Sequence, residues 1–233
     1  MIKDELIKRS PLRVFEKSIH GGLGTGNIGV LASPKGVGKT ACLVHIATDK
    51  LFQGKHVIHV SYSSRVDYII TWYEDIFKEI AKKKKLESAV DVHDEIIKNR
   101  VIMNFKQEGT RTEQVLKSVE AMITFGKFAA DAVIVDGYDF TKSTCEDIGK
   151  FREFAGRVGL EVWFSASLKE MDGPLYGQDG IPTVLSPLCP AIDVLITLHA
   201  KGDYVELCVV KDHQHPPPGI LPLKLDPKTL LII

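Results

Sequence analysis

The chain has 233 residues, 44% of them hydrophobic and 26% charged, close to an average globular domain, which excludes extended disorder and collagen-like repeats. Thirty Lys and Arg balance thirty Asp and Glu, so no whole-surface field draws the protein toward nucleic acid or an anionic membrane. No apolar run reaches the roughly 18 residues of a membrane span, and Met1-Ile2-Lys3-Asp4-Glu5 does not read as a signal peptide, so a soluble cytoplasmic protein is expected.

Apolar runs of strand length alternate with stretches of helical periodicity, which predicts an α/β fold: a mostly parallel sheet with flanking helices. In chain order the prediction is a strand at Ile28–Ala32, a helix at Gly38–Leu51, a strand at His56–Ser61, and helices at Val66–Lys84 and Val90–Lys98. A strand at Val101–Asn104 follows, then a helix at Thr112–Phe125, a strand at Ala132–Asp136, a helix at Cys145–Val158, and strands at Glu161–Ser165 and Ile192–Leu198. The strands are nearly continuous in hydrophobicity, as strands buried on both faces require. Within Thr112–Phe125, Val115, Leu116, Val119, Met122 and Ile123 recur at helical spacing and predict one buried stripe. Val205–Lys211 and Ile220–Leu225, either side of Pro216-Pro217-Pro218-Gly219, read as antiparallel edge strands. Residues 167–187, rich in Gly and Pro, are expected to form a mobile surface loop. No linker or repeat divides residues 1–233, so a single domain is expected. Cys42, Cys145, Cys189 and Cys208 are widely spaced, without a Cys-x-x-Cys pair, and read as reduced thiols rather than a metal or disulfide framework.

The strongest signal is Ser33-Pro34-Lys35-Gly36-Val37-Gly38-Lys39-Thr40, which follows a predicted strand and opens the predicted helical stretch that runs on through Ala41, the setting of a Walker A loop. Small residues at Gly36 and Gly38 let successive amides turn toward phosphate oxygens, and the helix N-terminus adds its positive dipole end. Residues Ser33 through Ala41 are thus the expected cradle of a nucleotide, with Lys39 reaching the outer phosphates and the Thr40 hydroxyl a ligand of Mg²⁺. Ser33 stands where the usual pattern has its first Gly. Asp136, ending an apolar strand, has the Walker B form and would hold Mg²⁺ through a water.

With these motifs in place, the sequence resembles the RecA-like P-loop ATPases, especially the KaiC, RadA and DnaB-helicase branch, from about residue 12 to the end. His20-Gly21-Gly22-Leu23-Gly24-Thr25-Gly26 is similar to the family's lead-in, and Ala191–Leu198 with Val209–Pro216 to its closing strands. The resemblance implies ATP or ADP with Mg²⁺ as ligands and a protein partner or a homo-oligomer. It also implies an acidic residue after the second strand to polarise the attacking water, but Ser63 and Ser64 occupy those positions, and a hydroxyl accepts a proton poorly. Glu74, Asp75 or Asp139 are the alternative sources of a carboxylate. The family's Lys-x-Arg near the closing strands is here Lys211 and His213, which loses a permanent charge worth on the order of 10³ in turnover. Ser165, after the fifth strand, is a candidate sensor of the terminal phosphate.

Lys82-Lys83-Lys84-Lys85 reads as a solvated helix end before it reads as an anion-binding patch. Gly137–Gly149 and Lys169–Gly180 carry more acid than base, which disfavours nucleic acid as a partner. Asp212 with His213 and His215 offers no third metal-ligand position, and Trp72, Tyr73 and Trp163 read as packing aromatics. The function expected is therefore a nucleotide-dependent switch with weak, partner-dependent or absent hydrolysis. The alternatives are an active DNA-dependent ATPase and a scaffold that nucleotide merely stabilises.

Overall fold

The computed structural model describes residues 6–63, 65, 67–86, 89–169 and 174–233. Eight strands form one sheet: β1 (Ile28–Pro34), β2 (Val57–Ser61), β3 (Arg100–Asn104), β4 (Ala132–Asp136), β5 (Glu161–Leu168), β6 (Val194–Ala200), β7 (Val205–Asp212) and β8 (Gly219–Leu225). Their order is β3-β2-β4-β5-β1-β6-β7-β8. Strands β1 to β6 run parallel, and β7 and β8 close one side antiparallel. The helices are α1 (Leu12–Ser18), α2 (Lys39–Phe52), α3 (Asp67–Lys84), α4 (Ala89–Lys98), α5 (Thr112–Thr124) and α6 (Cys145–Val158). The mostly parallel α/β architecture with antiparallel edge strands is thus the one the residue pattern predicts.

The parallel strands are apolar at nearly every position because both faces are covered. On one face α1, α2, α3 and α4 enclose Leu31, Val57, Ile134, Trp163 and Ile196. On the other, α5, α6 and a 3-10 helix at Thr183–Ala191 enclose Val30, Ile58, Val133, Val135 and Phe164. The stripe predicted on α5 holds: Val115 and Val119 are fully buried, and Leu116, Met122 and Ile123 pack against the same core at half burial. Helix α6 starts at a capping box, where the Thr144 hydroxyl and Asp147 carboxylate satisfy each other's backbone amides, and stops at Gly159 in the left-handed conformation.

Three segments differ from expectation. Helix α1 is two turns long and was legible only as a lead-in, yet it buries Leu12 and Phe15. Strand β5 continues to Leu168, into the stretch expected to be a loop. Thr183–Ala191 is not mobile loop but a packed 3-10 helix: Pro187 and Pro190 remove backbone donors, and the burial of Leu185, Leu188 and Ala191 holds it in place. The Lys82–Lys85 run does end a helix, since α3 stops at Lys84 and Lys85 takes φ = +50°.

Candidate functional site

Strand β1 lies between β5 and β6, and its buried run Val30-Leu31-Ala32 delivers the 33–40 loop to the carboxyl edge of the sheet. Ser33, at the position expected to be Gly, is fully buried as an ordinary β1 residue paired with Ser167, so no side-chain-free conformation is required there. The conformations only Gly tolerates lie farther on, at Gly36 (φ = +85°) and Gly38 (φ = +122°). A Cβ on Gly38 would sit 2.3 Å from Leu225 Cδ2, so the loop also rests against the last strand. Among the described residues, the amides of Gly36, Val37, Gly38, Lys39, Thr40 and Ala41 donate to no acceptor, and the first helical bond runs from Cys42 N to Gly38 O. Six consecutive donors are left at the amino end of a 14-residue helix. Ala41 contributes only its amide, because its side chain is buried in the core.

Lys39 folds back over this loop. Its ammonium donates to Ser33 O at 2.9 Å, Ser33 Oγ at 3.2 Å and Pro34 O at 2.9 Å. Burial lowers its pKa from 10.5 to about 8, against the opposing pull of the Asp136 carboxylate. Thr40 Oγ1 donates to Asp136 Oδ2 at 3.0 Å. Ser165 Oγ donates to Asp136 Oδ1 at 2.6 Å and accepts the Gly137 amide at 2.9 Å, so α2 and β5 each fix one oxygen of the carboxylate.

Asp136 ends β4 beside Ser61, the last residue of β2. From β2 the chain turns outward to β3, and from β4 it turns inward to β5. The carboxyl ends of β2 and β4 therefore flank a topological switch point, where open α/β sheets form their binding crevice. A cavity of about 570 Å³ opens there, lined by Lys35, Gly36, Gly38, Lys39 and Thr40 on one side and Ser61, Tyr62 and Ser63 on the other. Ser63 is held by its amide to Ser61 Oγ at 3.1 Å and accepts the Arg65 amide at 3.2 Å. Ser64 lies outside the described residues. Tyr68, Trp72 and Gln107 complete the wall. Sequence reading gave Trp72 and Tyr73 packing roles: Tyr73 is fully buried, and Trp72, half-buried, packs against the same core while also lining the cavity. The two differ by one position on α3, and the spacing of Tyr68 and Trp72 along one helical face is the signal that marks the wall.

The other candidates are elsewhere. Glu74 accepts from His93 Nε2 at 2.7 Å between α3 and α4, and Asp75 is exposed beside Lys78. Asp139 caps the turn at Thr141. Among the described residues Asp136 is the only carboxylate lining the cavity. Lys211 donates to Cys189 O at 2.6 Å and to Ile192 O. His213 reaches Leu23 O at 2.9 Å and Asp212 Oδ1 at 2.7 Å. Burial works against a charged His213, but the Leu23 carbonyl and Asp212 carboxylate both accept from the ring and raise its pKa on balance. Asp212 pairs with Val194, which pairs with Gly29, so both side chains sit at the amino end of β1, roughly 13 Å along the strand from Ser33. Within one chain neither reaches the 33–40 loop. Asp139 and Asp147, counted as acidic loop charge, are both capping residues.

Among the described residues no helix is long and apolar enough to cross a membrane, and no cluster of three or more His, Cys, Asp or Glu could hold a metal. Comparison with protein-family models and with curated proteins found no match to the chain.

Proposed function

We propose that the protein is a RecA-like nucleotide-binding domain that takes ATP or ADP with Mg²⁺ at the 33–40 loop and hydrolyses it slowly or only with a partner. The observation that carries this reading is the row of six unpartnered amides, Gly36 to Ala41, beside a lysine and a hydroxyl–carboxylate pair. Donors of this kind at a helix N-terminus fit phosphate oxygens. Lys39 would exchange two carbonyls and a hydroxyl for phosphate oxygens. Thr40 and Asp136 fit a divalent cation that takes its remaining ligands from phosphate and water, since the protein offers one carboxylate. Bound there, the cation supplies charge neutralisation between phosphates.

Slow turnover follows from what lines the far wall. Lining the rest of the cavity are hydroxyls of Ser61, Tyr62, Ser63, Tyr68, Ser165 and Ser167, and an aliphatic hydroxyl orients a water without taking its proton at neutral pH. Burial raises the Tyr62 phenol well above its ordinary value, so it too stays protonated. A site that binds well and turns over poorly suits a switch, in which the nucleotide stabilises one of two arrangements by its difference in affinity between them. The acidic character of the edge loops and the net charge of zero favour a protein partner over nucleic acid.

The test is titration of Mg·ATP and Mg·ADP by fluorescence or calorimetry, wild type against Lys39→Ala. Binding to the wild type, at least about 100-fold weaker in the variant, is the result expected. A wild type that binds neither nucleotide overturns the reading, and equal affinities for ATP and ADP reduce it to a nucleotide-stabilised scaffold.

A further inference from the structure

A second cavity, of about 490 Å³, lies away from the 33–40 loop, between α1, the last turns of α2 and α3, and the segment after β8. Its floor is apolar, made by Phe52, Ile80 and Leu231, each buried in the core on its other side. Its rim is cationic: Lys8, Lys17, Lys83 and Lys84 all border it, and no carboxylate among the described residues pairs with them. The one acid in the lining, Asp49, is already held by Arg13 and by Gln53 at 2.7 Å.

Two polar groups at this cavity lack an acceptor among the described residues, and one of them is a buried atom. His45, nine-tenths buried, accepts the Ile232 amide on Nδ1 at 2.9 Å, which puts the proton of its neutral ring on Nε2, and no acceptor among the described residues receives it. Arg13 Nε is buried with no acceptor either, although the rest of its guanidinium is paired with Glu16 and Asp49. A buried donor without a partner, such as Arg13 Nε, is uncommon enough to point to a missing acceptor.

We propose that this cavity is a binding site for a single-chain anionic amphiphile, with its apolar chain on Phe52, Ile80 and Leu231 and its anionic head accepting from His45 and attracted by the lysine rim. The volume falls within the ordinary range of small-molecule sites, which are mostly apolar with a few placed polar groups. An acidic head matches the surplus of cations, and an apolar chain matches a floor that water covers poorly. Nothing in this site depends on nucleotide binding at the 33–40 loop.

The experiment is calorimetric titration of the full chain with laurate below its micelle concentration, beside dodecanol, acetate and dodecyltrimethylammonium. Laurate is expected to bind at least about tenfold more tightly than each of the other three. Val14, half-exposed on α1 at the cavity mouth, allows a blocking variant, and Val14→Trp is expected to abolish laurate binding. Lys83→Ala with Lys84→Ala changes only solvent-facing side chains and is expected to weaken laurate by roughly three- to tenfold at low salt. It keeps the test decisive if Val14→Trp does not fold. The proposal is overturned if laurate fails to bind, if dodecanol binds as tightly, or if neither variant changes the affinity. It is equally overturned if the protein sediments with anionic phospholipid vesicles but takes no monomeric laurate, which would make the lysine rim a membrane contact.

Discussion

Replacing Gly38 by Ala separates two roles of the loop glycines, because its neighbour Gly36 supplies the control. At Gly36 an added Cβ meets nothing within 4 Å, so only the φ of +85° resists substitution. The strain is on the order of 1–3 kcal/mol, offset by roughly 0.4–1 kcal/mol from restricting the unfolded chain. At Gly38 the same kind of strain applies at φ = +122°, and the Cβ also falls 2.3 Å from Leu225 Cδ2. Leu225 is buried at the end of β8 and cannot swing into solvent, so a further ~1–3 kcal/mol of overpacking is expected. Urea unfolding followed by far-UV circular dichroism should therefore rank Gly38→Ala below Gly36→Ala by about 1–3 kcal/mol. Both variants should bind nucleotide less well, since both bend the amide row. Stabilities within about 0.5 kcal/mol of each other would refute the packing of β8 against the loop.

Three further outcomes are expected. Lys39, with its pKa lowered to about 8 by burial, must be protonated to meet phosphate, so Mg·ATP affinity should fall above pH 8, by up to about tenfold per pH unit; a flat profile from pH 7 to 9.5 would contradict this placement of the ammonium. Burial lowers both His45 and His59 from 6.5 to about 4, with Lys83 adding to the shift at His45. A folded-state pKa below the unfolded one gives stability that is complete above pH 6.5 and lost as pH falls toward 4. For His45 this loss reaches about 3 kcal/mol, and unfolding curves at pH 7.5 and 4.5 measure it. Ser165→Ala leaves the Gly137 amide and one oxygen of Asp136 without their partner, at a cost of about 1–3 kcal/mol, and should weaken the Mg²⁺ dependence of nucleotide binding more than binding itself.

How far the residue string reached depends on the range of the interactions involved. Strands β1 to β6 were legible because burial on both faces writes itself as uninterrupted apolar runs, and α6 because its capping box and closing Gly are local chemistry. Helix α1 was not, since seven residues between Pro11 and a glycine-rich stretch hold too few turns for periodicity to register. Thr183–Ala191 was masked by its own prolines, and only the tertiary burial of Leu185 and Leu188 makes it ordered. In the candidate site, Lys39, Thr40 and Asp136 were readable as motif positions, and Ser165 as a strand end. That Asp136 is held jointly by Thr40 and Ser165 depends on β4 and β5 being neighbours, which no local pattern encodes. The same holds for Trp72, whose helical face becomes cavity wall only through the placement of α3 at the end of β2. Lys211 and His213 looked available because the carbonyls that hold them, Cys189 and Ile192 for Lys211 and Leu23 for His213, lie far away in sequence.

The central claim is a nucleotide site that binds without an efficient means to hydrolyse. The measurement that tests it most directly is steady-state ATP turnover with Mg²⁺, with equilibrium binding followed on the same samples, for wild type and Lys39→Ala. The account predicts binding in the wild type that Lys39→Ala loses, with turnover below roughly 10⁻² s⁻¹, far under the 1–100 s⁻¹ of a fully furnished phosphoryl-transfer site. Turnover of tens per second that vanishes in Lys39→Ala would contradict it, because the described residues that line the cavity offer hydroxyls and the one carboxylate of Asp136, already tied to Thr40 and Ser165, and no free base able to support that rate.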